Sequence, residues 1–147
     1  MSASREIEIL NLVNEIMQHA TASMQRSLRE AELGLAAMEA RTLRFVARNP
    51  GCTQNDIVRA SGRDKAQIAR IIKTLLERGN VSRMPNEAGE KRQRLVLTAD
   101  GAHAHERAEA LREVVAQSLV HELDAGEREQ LESLLRRMPR DRAGGSD

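Results

Sequence analysis

The chain has 147 residues and a formal net charge of +1, with 31% charged residues, one phenylalanine and neither tryptophan nor tyrosine. This length suits one domain with a modest core, and this composition builds such a core on helices from Leu, Ile, Val, Met and Ala. A single cysteine, Cys52, excludes an internal disulfide, no apolar run nears the ~20 residues of a bilayer span, and "MSASREIEIL" lacks the features of a signal peptide, so a cytoplasmic protein off the membrane is expected.

From Ser4 to about Arg29, apolar residues recur every three or four positions, at Ile7, Leu10, Val13, Met17, Ala20, Met24 and Leu28, which predicts a long amphipathic helix. Gly34 breaks it. Leu35, Met38, Thr42, Phe45 and Val46 carry a second helical pattern, and "NPG" at 49–51 stops it. Three stretches then read as helix starts with a reciprocal cap: "TQND" from Thr53, "DKAQ" from Asp64 and "DAGE" from Asp124. In the last two a Gln or Glu stands at the third helical position, and "TQND" is a variant with Asp56 there. A short helix from Thr53 to Ala60, a turn at "SGR" and a helix from Asp64 to Arg78 follow, with Gly79 placed to end the second in a left-handed conformation.

Two short runs, Val81–Met84 and Arg92–Leu97, flank Pro85, Asn86 and Gly89 and predict a β-hairpin with a polar tip. In the second run Arg92, Arg94 and Val96 alternate with Gln93, Leu95 and Leu97. Thr98 can cap a long helix with Ala108, Leu111, Val115, Leu119 and Leu123, and a final helix carries Leu131, Leu134, Leu135 and Met138. The tail, 141–147, is expected to be mobile.

Charge is unevenly spread. Between Thr53 and Arg94 ten basic residues meet five acidic ones, an excess of +5 against −4 for the rest of the chain. A basic middle of this kind suits a polyanionic partner. On the helix after Asp64, Ile68, Ile71, Ile72 and Leu75 form one stripe that can bury against Ile57 and Val58. Ala66, Ala69, Arg70 and Lys73 lie roughly opposite. Two helices joined by a short Gly-containing turn make a helix-turn-helix, whose second helix can enter a DNA major groove. Small residues let its backbone approach the bases, Arg and Lys supply phosphate or guanine contacts, and Ala can touch a thymine methyl. A basic hairpin directly afterwards is the winged form, in which Lys91, Arg92 and Arg94 can reach backbone or minor groove.

From about Leu35 to Gly101 the chain resembles the MarR family of transcriptional regulators, through "PGCTQNDIVRASGRDKAQIARIIKTLLERG" and "VSRMPNEAGEKRQRLVLTADG". The family's wing carries an Asp, an Arg two residues later, then "LT" and a Gly. The corresponding residues are Glu90, Arg92, Leu97–Thr98 and Gly101. Glu90 departs from the usual Asp, and Asn80 from the usual aliphatic after "RG". The resemblance implies a mainly α fold with a small β-wing: a winged DNA-binding domain over 33–98, and a helical dimerisation region from 1–32 and 99–140. It implies a homodimer on near-palindromic double-stranded DNA, with Arg70 and its neighbours in the major groove and Arg92 in the minor groove. It also implies a cleft for a small effector between the two modules, with His19, Arg41 and Phe45 as its candidate lining.

Individual residues keep two readings. Gln67 can close the cap with Asp64 or hydrogen-bond an adenine edge. Thr53 and Gln54 can cap a helix or offer its amides to a phosphate. Lys65, beside Arg63 at the helix start, suits phosphate. Arg83 can touch DNA backbone or stand in solvent. Cys52 reads as a semi-buried small residue in preference to an oxidant sensor, and the four histidines as surface or interface residues, since none has zinc-ligand spacing. The terminal helices carry more apolar positions than one chain shields. Ile7, Leu10, Val13, Met17, Leu119, Leu123, Leu131, Leu134 and Leu135 are therefore the expected dimer contacts. No phosphate-binding glycine loop, nucleophile elbow or His-Glu zinc motif occurs. The expectation is a sequence-specific DNA-binding transcriptional regulator that acts as a repressor, with neither catalysis, cofactor nor metal. A winged module that binds protein instead of DNA is the alternative.

Overall fold

The computed structural model describes residues 2–85 and 93–140. Six helices and one small sheet follow in order: α1 (Arg5–Glu30), α2 (Ala37–Arg48), α3 (Gln54–Ser61), α4 (Lys65–Glu77), β1 (Val81–Arg83), β2 (Leu95–Leu97), α5 (Ala99–Leu119) and α6 (Ala125–Arg137). The fold is mainly α with a two-stranded wing, as the sequence predicts. Lys91, Arg92, Glu90 and the tail at 141–147 lie outside the described residues. Among those described, no helix is long and apolar enough to cross a membrane.

The chain forms two compact units. One comprises 1–37 with 109–138, and the other is centred on 38–108. In the first, Ser4 starts α1 by accepting the Ile7 N–H at 3.2 Å. Glu32, with φ 53°, and Gly34, with φ 69°, take left-handed conformations just after the helix ends. Asp124 and Glu127 close the expected capping box on α6 at 2.8 and 3.0 Å.

The second unit is built around α4. Ile68 and Ile72 pack with Val46, Cys52, Ile57 and Leu95 in one buried cluster, and Phe45, Val58, Ile71, Leu76 and Leu97 close over it. Ile68 and Leu75 have no exposed surface. Burying an Ile or Leu side chain contributes ~1.5–3 kcal/mol, so this stripe fixes which way α4 faces. Gly62 and Gly79, with φ 64° and 76°, end α3 and α4 in the left-handed region that disfavours residues with a Cβ.

The strands pair antiparallel with Val81 opposite Leu97 and Arg83 opposite Leu95. The register turns Val81 and Leu95 inward, each 3% exposed, as the two-residue alternation predicts. Both strands are shorter than the predicted runs. Hydrogen bonding continues one step beyond them, from the Met84 N–H to the Arg94 carbonyl at 2.8 Å. A third segment joins this ladder. Leu95 donates to the Cys52 carbonyl and Gly51 donates to the Leu95 carbonyl, both at 2.8 Å, so the loop before α3 pairs with the wing.

Candidate nucleic-acid interface

α4 turns Arg63, Lys65, Ala66, Arg70 and Lys73 to the exterior and leaves Gln67 and Ala69 half-buried, while Ile68, Ile72 and Leu75 face the core. The cationic side is therefore free for a partner. Among the two roles open to Gln67, the structure leaves the cap to Asp64 alone. The Asp64 carboxylate turns onto the amide of Ala66 at 3.2 Å, and no reciprocal bond from Gln67 forms. The reason is geometric. Bound to the second helical amide instead of the third, Asp64 holds the start of α4 without the Gln67 side chain.

α3 begins with the variant box. Thr53 Oγ1 accepts the Asp56 N–H at 3.2 Å, and the Asp56 carboxylate accepts the Thr53 N–H at 2.9 Å. The shorter Asp side chain still spans the gap. The Thr53 N–H holds the Asp56 carboxyl below its ordinary range against partial desolvation, and a hydrogen bond from Arg59 adds to it. The Thr53 hydroxyl accepts the Asp56 N–H within the cap and also helps to hold the Asp56 carboxyl down.

A cleft of about 670 Å³ lies between the starts of α3 and α4 and the wing strands. It gathers Thr53, Gln54, Lys65 and Arg83 of the predicted residues and adds Arg59 and Gln93, which carried no signal in the sequence beyond their polarity. Arg70 and Lys73 stand further along α4 and do not line this cleft. Arg94 is exposed beside β2.

Cys52 is buried under this surface. Burial pushes its thiol up to about 11, and the negative charge of Asp56 pushes in the same direction. A thiol in that state is a poor nucleophile, which matches its reading as a small core residue.

Two further contacts hold this unit together: a corner at the base of the wing that includes the predicted Thr98 cap, and an ion pair that no local pattern in the sequence predicts. At the base of the wing, Thr98 donates its N–H to the Asn80 carbonyl at 3.1 Å and its hydroxyl to the Gly79 carbonyl, and the Gly101 N–H donates to Thr98 Oγ1 at 3.0 Å. A Cβ on Gly101 would stand 1.8 Å from the Asn80 carbonyl oxygen. Asn80 thus serves this corner through its backbone. At the far end of α4, Arg78 reaches Glu39 in the first turn of α2. One Arg78 nitrogen lies 3.1 and 3.2 Å from the two carboxylate oxygens.

Arg41 and Phe45, two of the candidate effector residues, line a cavity of about 130 Å³ between α2 and α3 with Met38, Thr42, Arg44, Arg48, Ile57, Ala60 and Ser61. His19 is exposed on α1 in the other unit and is not among these lining residues. Of the expected dimer contacts, Ile7, Leu10, Met17, Leu119, Leu131, Leu134 and Leu135 are exposed, while Val13 and Leu123 are half-buried. No group of three or more metal-ligating side chains occurs among the described residues.

Comparison with known proteins follows the same lines. A family model described as "MarR family" matches residues 33–92. A curated relative, the HTH-type transcriptional regulator BilQ of Clostridium symbiosum, is 28% identical over 94 residues. The match spans 64% of this chain and 65% of the relative, just under two thirds of its length. The solved structure of the transcriptional regulator SlyA superposes with a TM-score of 0.76 at 25% identity, covering 88% of this chain and 90% of that one. A cysteine-to-serine variant of MarR from E. coli, crystallised with operator DNA, superposes with a TM-score of 0.75 at 23% identity, covering 93% of this chain and all of that one.

Proposed function

We propose that this chain, whose residues 33–92 match the MarR family model, is a member of that family and a sequence-specific, double-stranded-DNA-binding regulator that acts in the cytoplasm as a homodimeric repressor of near-palindromic operators. The observation that carries this reading is the outer face of α4, where Lys65, Ala66, Arg70 and Lys73 are exposed opposite the buried side chains of Ile68, Ile72 and Leu75. In that arrangement Arg70 and Lys73 contact guanine edges or phosphates, and Ala66 and Ala69 admit the helix backbone close to the bases. Gln67, free of the cap, reads an adenine edge. Lys65, Arg63, Thr53, Gln54 and Arg83 take phosphates around the cleft, and Lys91, Arg92 and Arg94 carry the contact along the wing. The operator complex of the E. coli relative supports a duplex as the ligand of this fold.

A second copy covers the exposed leucines of α1 and α6, so two α4 helices meet half-sites about one helical turn, ~34 Å, apart. Repression follows from occupancy of the promoter. The cavity beside Arg41 and Phe45 suits a small effector with an apolar body and an anionic group. Such a ligand releases DNA only if it binds one arrangement of the paired winged units better than the other.

Selection of duplexes from a random pool at near-physiological salt tests the reading. The expected result is an enriched inverted repeat whose affinity falls steeply with salt and drops on Arg70→Ala. A pool that yields no enriched duplex overturns it, and capture of a protein partner with no duplex would favour the interaction-module alternative.

A further inference from the structure

The Glu39–Arg78 pair joins two elements at their electrically matched ends. Glu39 sits in the first turn of α2, where the helix dipole favours an anion, and Arg78 caps the C-terminus of α4, where it favours a cation. The Glu39 side chain is 10% exposed and Arg78 is 47% exposed, so the carboxylate is fixed in the body of the unit while the guanidinium reaches in from the surface. The other end of α4 is held by Ile68 and Ile72 in the core cluster. Near its C-terminus Leu75 is buried and its carbonyl accepts the Asn80 N–H at 2.9 Å.

We propose that Glu39 and Arg78 are positioning residues for DNA reading: the pair sets the tilt of α4 and with it the base contacts made by the C-terminal half of that helix. This rests on the DNA-binding function proposed above. The lever is short but sensitive. A tilt of about 5° pivoting at Ile68 carries Lys73, five residues on, sideways by about 0.7 Å, whereas Gln67 beside the pivot barely moves. Hydrogen bonds tolerate about half an ångström before they weaken. Arg70, two residues from the pivot, moves only about 0.3 Å, so loss of the pair blurs recognition at the base pairs facing Lys73 and leaves those facing Gln67 and Arg70 intact.

The experiment uses the full chain and the duplex enriched by wild-type protein. A pool that yields no duplex for wild type ends the DNA-binding reading before any variant is compared. Arg78→Ala and Glu39→Gln are then measured for the ratio of operator to random-duplex affinity, and their own enriched sequences are determined, well below each variant's melting temperature. Both are expected to lower the ratio about tenfold, the effect of about one mismatched base pair, with sequence preference lost only in the part of each half-site facing the C-terminal half of α4. Arg78→Lys is expected to restore part of it, because it keeps a cation opposite the Glu39 carboxylate. Glu39 is too buried to touch DNA, so its agreement with Arg78 excludes a direct phosphate contact as the cause. The proposal is overturned if the variants melt lower yet keep the wild-type ratio and sequence preference. It is equally overturned if preference is lost evenly along the half-site, or if only Arg78→Ala acts and lowers the salt slope by about one.

Discussion

Replacing Gly101 with alanine puts a methyl group where the Asn80 carbonyl already stands. Real Cβ atoms do not come within 3.0 Å of a heavy atom, and this one would start at 1.8 Å, so α5 and the end of the α4–β1 turn must part by at least 1.2 Å. The obstacle is backbone, which cannot rotate away as a side chain does. The same carbonyl accepts the Thr98 N–H, and Thr98 also binds Gly79 and Gly101, so the displacement strains a group of bonds at once. Overpacking costs ~1–3 kcal/mol and a weakened hydrogen bond about 1 kcal/mol. The better helix propensity of alanine returns at most ~1 kcal/mol. The balance is a loss of about 2 kcal/mol, or about 4–8 °C in melting temperature for a chain of this size. Thermal unfolding followed by circular dichroism at fixed protein concentration measures it. Gly126→Ala in α6 is the internal comparison, because its Cβ meets only Asp124 Oδ1 at 3.4 Å, and it should leave the melting temperature unchanged or raise it slightly. If Gly101→Ala behaves like Gly126→Ala, the close approach at the base of the wing is not there.

Other outcomes follow from the same structure. Cys52 should resist thiol reagents in the native protein at pH 7.5 and react once the protein is unfolded. Because burial raises its pKa to about 11 in the folded chain, its contribution to stability is complete at neutral pH and is lost as pH rises through the ordinary thiol range to about 11. Denaturant titrations across that range give the slope, and rapid native labelling at neutral pH would refute the burial. Asp56 behaves in the opposite sense. Its folded pKa is depressed, so it stabilises above its unfolded value and the benefit disappears as pH falls through the folded one. Thr53→Ala should cost about 1 kcal/mol at pH 7 and leave most of the acid limb of the stability profile in place, because the Thr53 N–H remains, whereas Asp56→Asn should flatten that limb; a limb unchanged in Asp56→Asn would count against the bond from the Thr53 N–H. Leu134→Glu, on the exposed face of α6, should convert a dimer to a monomer in sedimentation equilibrium. A wild-type chain that sediments as a monomer at micromolar concentration would remove the basis for paired half-sites.

What could be read from the sequence was local. Ile68, Ile72 and Leu75 disclosed their buried face because a helix returns to the same side every 3.6 residues. Leu95 and Leu97 disclosed theirs because a strand alternates. The cationic face of α4 follows directly from the first of these. The Asp64–Gln67 spacing leaves two roles open for Gln67, because spacing gives reach and not direction, and Asp64 turns to the nearer Ala66 amide. The contacts that connect elements left no local trace. Glu39 and Arg78 are 39 residues apart, and each looks like any solvated charge on its own helix. Gly101 looks like a weak residue in a helix start until the Asn80 carbonyl is set beside it. Cys52 pairs with Leu95 across 43 positions through backbone atoms alone, and no side-chain pattern announces such a bond.

That backbone bridge has a practical corollary. β2 is anchored on two sides at its root, by β1 and by the segment ahead of α3. The stretch between Met84 and Gln93 can then be exchanged as a cassette among relatives. Swapped arcs of different length and charge should retune how the protein grips a duplex while the remainder of the domain melts as before.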